Sequence, residues 1–377
     1  MLFNNVTRII KQIFTIDIDE NRVFGLDLLR FFAISFVFIG HGLHYLPFSD
    51  FLVRFMLDGV TLFFVLSGFL IGGILIKILN ENKFDRRVLF NFWIRRWCRT
   101  LPAYFLVLSV LVILEVFFTN DSPKSDYAQY FLFIQSFASP HPGFFPEAWS
   151  LSVEEWFYLL MPIFLYGLIR VLKLKVKTSI LSVIFFVILF VTLFRLYRYS
   201  TDIIPHDLRS WDINFRKQVI TRLDSLMYGV LGAYIKYYYP RIWNKGKETM
   251  LVAGLILIII SHLSFIGIIT EARSLYLSVF SFSLMSVGTL FLLPFLSSYT
   301  TSHLKIAKPV TYISLISYSM YLVNLSLIQP WIVDRIPGYF NFPIYIFLCL
   351  MIPFFIYKYF EIPTTKLRDR LIIRKAV

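Results

Sequence analysis

Long apolar runs set the first constraint on this chain. They fall at roughly 26–46, 55–79, 101–118, 150–171, 178–199, 219–239, 249–270, 274–297, 310–333 and 341–360, joined by short polar links. About 20 helical residues cross a bilayer core, so the pattern predicts about ten transmembrane helices. Barrel strands need only about half that length and alternate in polarity; these runs do neither. Composition agrees where it bears on the choice. Apolar residues make up 58% of the 377 and charged residues only 16%. A soluble core could not hide that much apolar surface, and disordered chains are apolar-poor. Two distant cysteines, Cys98 and Cys349, do not make a disulfide-stapled domain. The predicted fold class is all-α, a polytopic membrane protein.

The net charge of +14 would suggest nucleic acid in a soluble protein. Here the basic residues sit at the ends of apolar runs, so no nucleic-acid partner is expected. Most of the 37 Lys and Arg lie in the N-terminal segment, 77–100, 170–177, 236–247, 303–308 and the C-terminal tail. That asymmetry predicts cytoplasmic termini at both ends. The link at 195–217 is basic yet falls on the other side, partly balanced by Asp202, Asp207 and Asp212. The first residues are broken by Arg8, Lys11 and Asp17, so they predict an interfacial amphipathic helix or a frayed tail, not a signal peptide. The expected organisation is a cytoplasmic or interfacial segment at 1–25, a transmembrane domain at 26–363 and a basic tail at 364–377.

Polar groups inside apolar runs are the candidates for function, because lipid makes them costly. Arg30 and His41 share the first run. Eleven residues are close to three helical turns, so both lie on one face, separated by about 16.5 Å of rise. An imidazole at that depth either takes and returns a proton or is a buried hydrogen-bonding residue. Asp27, three residues before Arg30, is placed to pair with it. Gly59, Ser67, Gly68, Gly72 and Gly73 let the second run approach a neighbour closely, either for packing or to leave a narrow tunnel. Arg86, Arg87, Arg95, Arg96 and Arg99 crowd a short link and a helix start, where guanidinium forks and the helix dipole suit phosphate oxygens, or lipid headgroups. In PEAWSLSVEEWFYLLMP, Ser150 or Ser152 is a predicted N-cap. Glu154 and Glu155 follow it beside Trp149 and Trp156, a set that also suits a sugar. Glu115, Arg222 and Asp224 each need a partner on another span. The six His residues are scattered, and no metal site is expected.

Taken together these segments resemble the acyltransferase-3 family of membrane acyltransferases. The resemblance rests on LDLLR and GH in the first run, then GVTLFFVLSGFLI, RRWCRTLPAYF, WSLSVEEWFYLLMP, RLDSLMYG, ISYSMYLVN and YKYFEIP, in order over about residues 22–363. It implies a bacterial inner-membrane protein of about ten helices. Such a protein moves an acyl group, usually acetyl, from cytoplasmic acetyl-CoA onto a hydroxyl of an extracytoplasmic glycan. By resemblance His41 and Glu154 are catalytic, Arg30 is the basic partner on the same run, and Arg96 and Arg99 bind the CoA donor; Arg30 and Arg95 are expected to line the donor's path with them. Trp149, Ser150, Glu155 and Asn324 are expected to meet the acceptor. The chain departs from many relatives at Asn324, where they carry His; Asn cannot carry a proton near neutral pH. The chain is expected to be a stand-alone version, without the hydrolase-like domain fused to many members. The competing expectation is a secondary transporter or flippase using the same Arg, His and Glu residues as a path.

Overall fold

A computed structural model describes residues 16, 18–19, 22–81, 85–118, 126–201, 207–263, 274–300, 305–336 and 340–371. The expected interfacial helix at the N-terminus, the end of the seventh expected span and the last residues of the basic tail lie outside these. Among the described residues every regular element is helical. Ten long helices make up the bundle: α1 (Phe24–Gly42), α2 (Gly59–Glu81), α3 (Arg86–Phe118), α4 (Ala148–Tyr166), α5 (Val176–Ser200), α6 (Leu223–Tyr238), α7 (Lys247–Leu263), α8 (Ser281–Ser298), α9 (Ala307–Val323) and α10 (Asn341–Ile356). Eight, taken with their flanking turns, are long and apolar enough to cross a membrane. The other two, α6 and α7, have 16 and 17 described residues. The outward side chains are those lipid requires: Phe185, Phe186 and Leu189 on α5, and Leu255, Ile256 and Ile259 on α7, are all exposed. This is an all-α polytopic membrane protein.

The helix ends differ from expectation in three places. The arginine-rich stretch is not a link: α3 runs unbroken for 33 residues from Arg86, through Pro102. At 1.5 Å per residue it is about 50 Å long, longer than the bilayer core. Arg95, Arg96 and Arg99 therefore stand well inside the helix, beyond the reach of its N-terminal dipole. Helix α4 starts at Ala148, so neither Ser150 nor Ser152 is its N-cap. The chain after α10 stays helical to Leu371, through a wide π-type turn at Tyr357–Glu361.

Close packing of α2 explains its small residues. A methyl group on Gly68 would strike the carbonyl of Leu226, and one on Gly229 would strike that of Val65. Helices α2 and α6 therefore touch backbone to backbone, the arrangement small residues permit in a membrane. Gly59 meets the Ala33 carbonyl of α1 in the same way. The opposite face of α2, with Phe63, Ser67, Leu70 and Ile74, is left to line a cavity. Glycines do the packing while the other face makes the room, so both expectations for this run describe one helix.

Arg222 and Asp224, expected to need partners on other spans, have them, and Arg195 and Glu115 have partners too. Arg195 donates to Asp224 at 2.5 Å and to Ser283 at 3.1 Å, and both members of the ion pair are fully buried. Arg222 donates to Thr61 at 2.5 Å and reaches Asp58 at 3.5 Å. Glu115 accepts from Tyr127 at 3.1 Å. Asp27 is the correction. It accepts from two guanidinium nitrogens of Arg22, Nε and Nη2, and from the hydroxyl of Ser314 on α9, not from Arg30. Arg30 lines the cavity instead.

Candidate active site

Arg30, Arg95, Arg96 and Arg99 line a single cavity of about 660 Å³. Arg22, Lys366 and Arg368 line it too, so seven basic side chains face two carboxylates, Glu154 and Glu361. This basic end lies beside both described chain ends. Deeper in, the wall is apolar and aromatic, from Phe63, Phe64 and Leu70 of α2 to Tyr318 of α9. The volume is that of an ordinary small-molecule site, and the shape is amphipathic, with cations at one end and hydrocarbon along the shaft.

Polar groups mark the shaft at intervals. The Tyr158 hydroxyl donates to Glu154 at 3.0 Å and lies 2.8 Å from the Ser67 hydroxyl. With the phenol proton given to the carboxylate, Ser67 is the donor in the second bond. Ser150 and Tyr321 close the inner end, joined by a 2.6 Å hydrogen bond. Glu155 does not share the cavity with Glu154. Adjacent residues on a helix point about 100° apart, and Glu155 turns to α3, where Thr100 donates to it at 2.8 Å. Trp149 is likewise buried, edge-on to Phe64 and beneath the guanidinium of Arg216.

His41 lies beyond the cavity's inner end and is not among its lining residues. Its Nδ1 is 2.6 Å from Oδ1 of Asn324, three residues after Tyr321. Its backbone carbonyl accepts from Gln329 at 2.8 Å. Asn324 opens a wide turn, Asn324–Ile328, that interrupts the helix after α9. Glu147 holds that turn: one carboxylate oxygen accepts the N–H groups of Leu325 and Ser326, at 2.8 and 2.9 Å. Burial pushes the Glu147 carboxyl up to about 7, against the pull of those two N–H groups.

At the far end, two links are joined edge to edge. The N–H of His141 donates to Ile213, that of Val219 to Ser136 and that of Ile220 to Phe137. Asp212 pairs with Arg216 at 2.5 Å and Lys217 at 2.7 Å, and Arg216 also reaches Asp58 at 3.8 Å. Burial works against the Asp212 carboxyl, but Arg216 and Lys217 outweigh it and hold it near 2. These are the charges that act most strongly on the His41 ring from outside its own helix.

Of the residues singled out in the sequence, the structure brings Arg30, Arg95, Arg96, Arg99, Ser150 and Glu154 onto one cavity and joins His41 to Asn324. It leaves Trp149 and Glu155 buried beside it. Glu147, Tyr158, Tyr321, Glu361 and the tail cations were missed. Glu361 and Tyr321 stand within the segments YKYFEIP and ISYSMYLVN, where a polar residue in an apolar run was the available signal. Lys366 and Arg368 had been read only as topology.

A bundle of apolar helices around a basic, amphipathic cavity, with a half-buried imidazole past its end, is the architecture of a membrane-embedded enzyme. The chain belongs to the acyltransferase domain family, which matches residues 23–358. It is 30% identical to the peptidoglycan O-acetyltransferase OatA of Listeria monocytogenes over 249 residues, 54% of this chain and 39% of that protein. A Staphylococcus aureus protein provisionally named an O-acetyltransferase is 28% identical over 91% of this chain and 57% of its own length. A Bacillus subtilis protein provisionally named a peptidoglycan O-acetyltransferase is 34% identical over 41% of this chain and 25% of its own length. The chain thus spans between a quarter and three fifths of these relatives. No solved structure matches it.

Proposed function

We propose that this protein is a membrane O-acetyltransferase that takes acetyl from acetyl-CoA at its basic end and passes it to a glycan hydroxyl at the far end. The observation that carries the reading is the cavity, which runs from the guanidinium cluster to Tyr321, three residues from the partner of His41. Coenzyme A is a phosphate-rich nucleotide on a flexible arm, and the cavity offers forks for the phosphates and an apolar shaft for the arm. Ser67 and Glu154 present polar groups to the amides of that arm. In this reading Glu154 orients the donor, since its hydrogen bond goes to Tyr158. For the thioester to reach His41, the Ser150–Tyr321 pair has to part.

The imidazole of His41 takes the proton of the sugar hydroxyl as its oxygen attacks the thioester carbonyl. A C–O bond forms, the C–S bond breaks, and the proton passes to the departing CoA sulfur. In this reading the donor end faces the cytoplasm of a bacterial cell, an orientation that the basic termini favour. The acceptor is then a cell-wall or cell-surface glycan, the class named for the Listeria relative. The purified protein in liposomes tests this. Acetyl-CoA outside or inside should yield free CoA and an acetylated glycan fragment, and His41→Ala should abolish both while acetyl-CoA still binds. Movement of solute with no thioester consumed would make the protein a transporter instead.

A further inference from the structure

We propose that Asn324 is a positioning residue that holds His41 in the tautomer protonated at Nδ1, leaving Nε2 as the base. The proposal rests on the reading of His41 as the proton acceptor and adds which nitrogen acts and what selects it. Asn324 has two amide hydrogens, and both are committed. Nδ2 donates to the Met320 carbonyl at 3.0 Å and to the Tyr321 carbonyl at 2.8 Å. A reversed amide would set Oδ1 against two carbonyl oxygens and lose both bonds. Oδ1 must therefore be the atom that meets His41 Nδ1, at 2.6 Å. An amide oxygen has no proton to give, so Nδ1 is the donor. A neutral imidazole has one N–H, so the lone pair is at Nε2.

The side chain that makes this choice is itself fixed. Asn324 is fully buried. Glu147 grips the two backbone N–H groups that follow it. Gln329, at the other end of the same wide turn, binds the backbone of His41. Ring, amide and turn are thus locked by contacts from three segments, which is the support a base needs to stay aimed. The titratable groups on the surrounding elements are His44 in the turn after α1, Asp58 before α2, Glu147 before α4, Asp212, Arg216 and Lys217 in the far-end link, and Tyr345 and Cys349 on α10. None of them is hydrogen-bonded to the His41 ring among the described residues.

The test uses the full chain in liposomes, with acetyl-CoA consumption in the presence of a glycan acceptor read across pH. Asn324→Asp keeps an oxygen facing Nδ1 and adds a charge, but its second oxygen forfeits both bonds to the Met320 and Tyr321 carbonyls. It should retain part of the activity, with the acid limb of the profile moved up by about one pH unit or more, as a carboxylate favours imidazolium. Asn324→Leu removes the acceptor. It should lower kcat by about 10²–10⁴-fold, with acetyl-CoA binding unchanged. If Asn324→Leu does not fold, the limb shift in Asn324→Asp decides alone. Wild-type rates and an unmoved acid limb in Asn324→Asp would overturn the proposal. The two readings fail separately: full activity in His41→Ala removes the base itself, whereas a dead His41→Ala beside an unshifted Asn324→Asp removes only the role of Asn324.

Discussion

His141 lies buried in the link before α4, and its ring is satisfied on one side only. Nε2 faces the Phe145 carbonyl at 3.2 Å, while Nδ1 has no hydrogen-bond partner among the described residues. Burial first, then the charge of Lys217, pushes the imidazole down to about 4. The folded state therefore binds fewer protons than the unfolded state between about 6.5 and 4. Stability from this residue is complete above pH 6.5 and is lost as pH falls toward 4, by an amount approaching about 3 kcal/mol. Melting in detergent should fall between pH 7 and pH 5 in the wild type, and His141→Gln should flatten that part of the curve. An unchanged slope in the variant would place the acid sensitivity elsewhere. Single residues were legible in the sequence wherever cost exposed them. His41 and Arg30 stood out because a helix in lipid gives polar groups little excuse. Glu147 did not, because a glutamate just before a helix reads as an ordinary surface group. Its worth comes from a turn about 180 residues later in the chain, which no local pattern announces.

Between helices, the energetics are those of close approach. Replacing Gly68 or Gly229 with Val should cost about 3 kcal/mol or more, because the added carbons meet backbone and not a side chain that can rotate aside. Gly73 supplies the control on the same helix. The nearest atom to an added methyl there is 4.0 Å away, so Gly73→Ala should melt with the wild type. Equal losses at all three positions would mean that contact with α6 does not set the result, since helix propensity favours each replacement over glycine. The apolar runs revealed these helices readily, since hydropathy needs no partner. Their ends were less visible. The arginine-rich part of α3 reads as a link because its mean polarity is that of a link, and only the contacts with the helical tail after α10 show why it stays helical. Which of two neighbouring glutamates enters the cavity was equally hidden, for it depends on how α4 is rotated against α3.

The whole molecule is electrically lopsided. Seven cations gather around one end of the cavity and Glu154 and Glu361 are the acids there. An anionic donor should bind more weakly as salt rises, and the charges that matter should be those on the wall. Arg99→Gln should raise the acetyl-CoA Kd by about tenfold or more, the size of a lost charge-assisted hydrogen bond. It should leave kcat at saturation nearly unchanged. Lys177→Gln should change neither the Kd nor kcat, since that ammonium packs over Tyr239 and is not part of the cavity wall. Calorimetric titration at two salt concentrations measures both. A donor affinity indifferent to Arg99 and to salt would remove the basic end from the site.

The buried pair of Arg195 and Asp224 also bears on how the chain enters the bilayer. Leaving the translocon alone, α5 would carry an unpaired guanidinium near its end and α6 an unpaired carboxylate at its start, each at some fraction of the roughly 2.5–3.5 kcal/mol that insertion scales give at a helix centre. Paired, the two neutralise each other before either meets lipid. The fifth and sixth segments should therefore partition as a hairpin, so that a ribosome stalled just after α5 leaves an intermediate easily extracted by alkali, and one stalled after α6 does not.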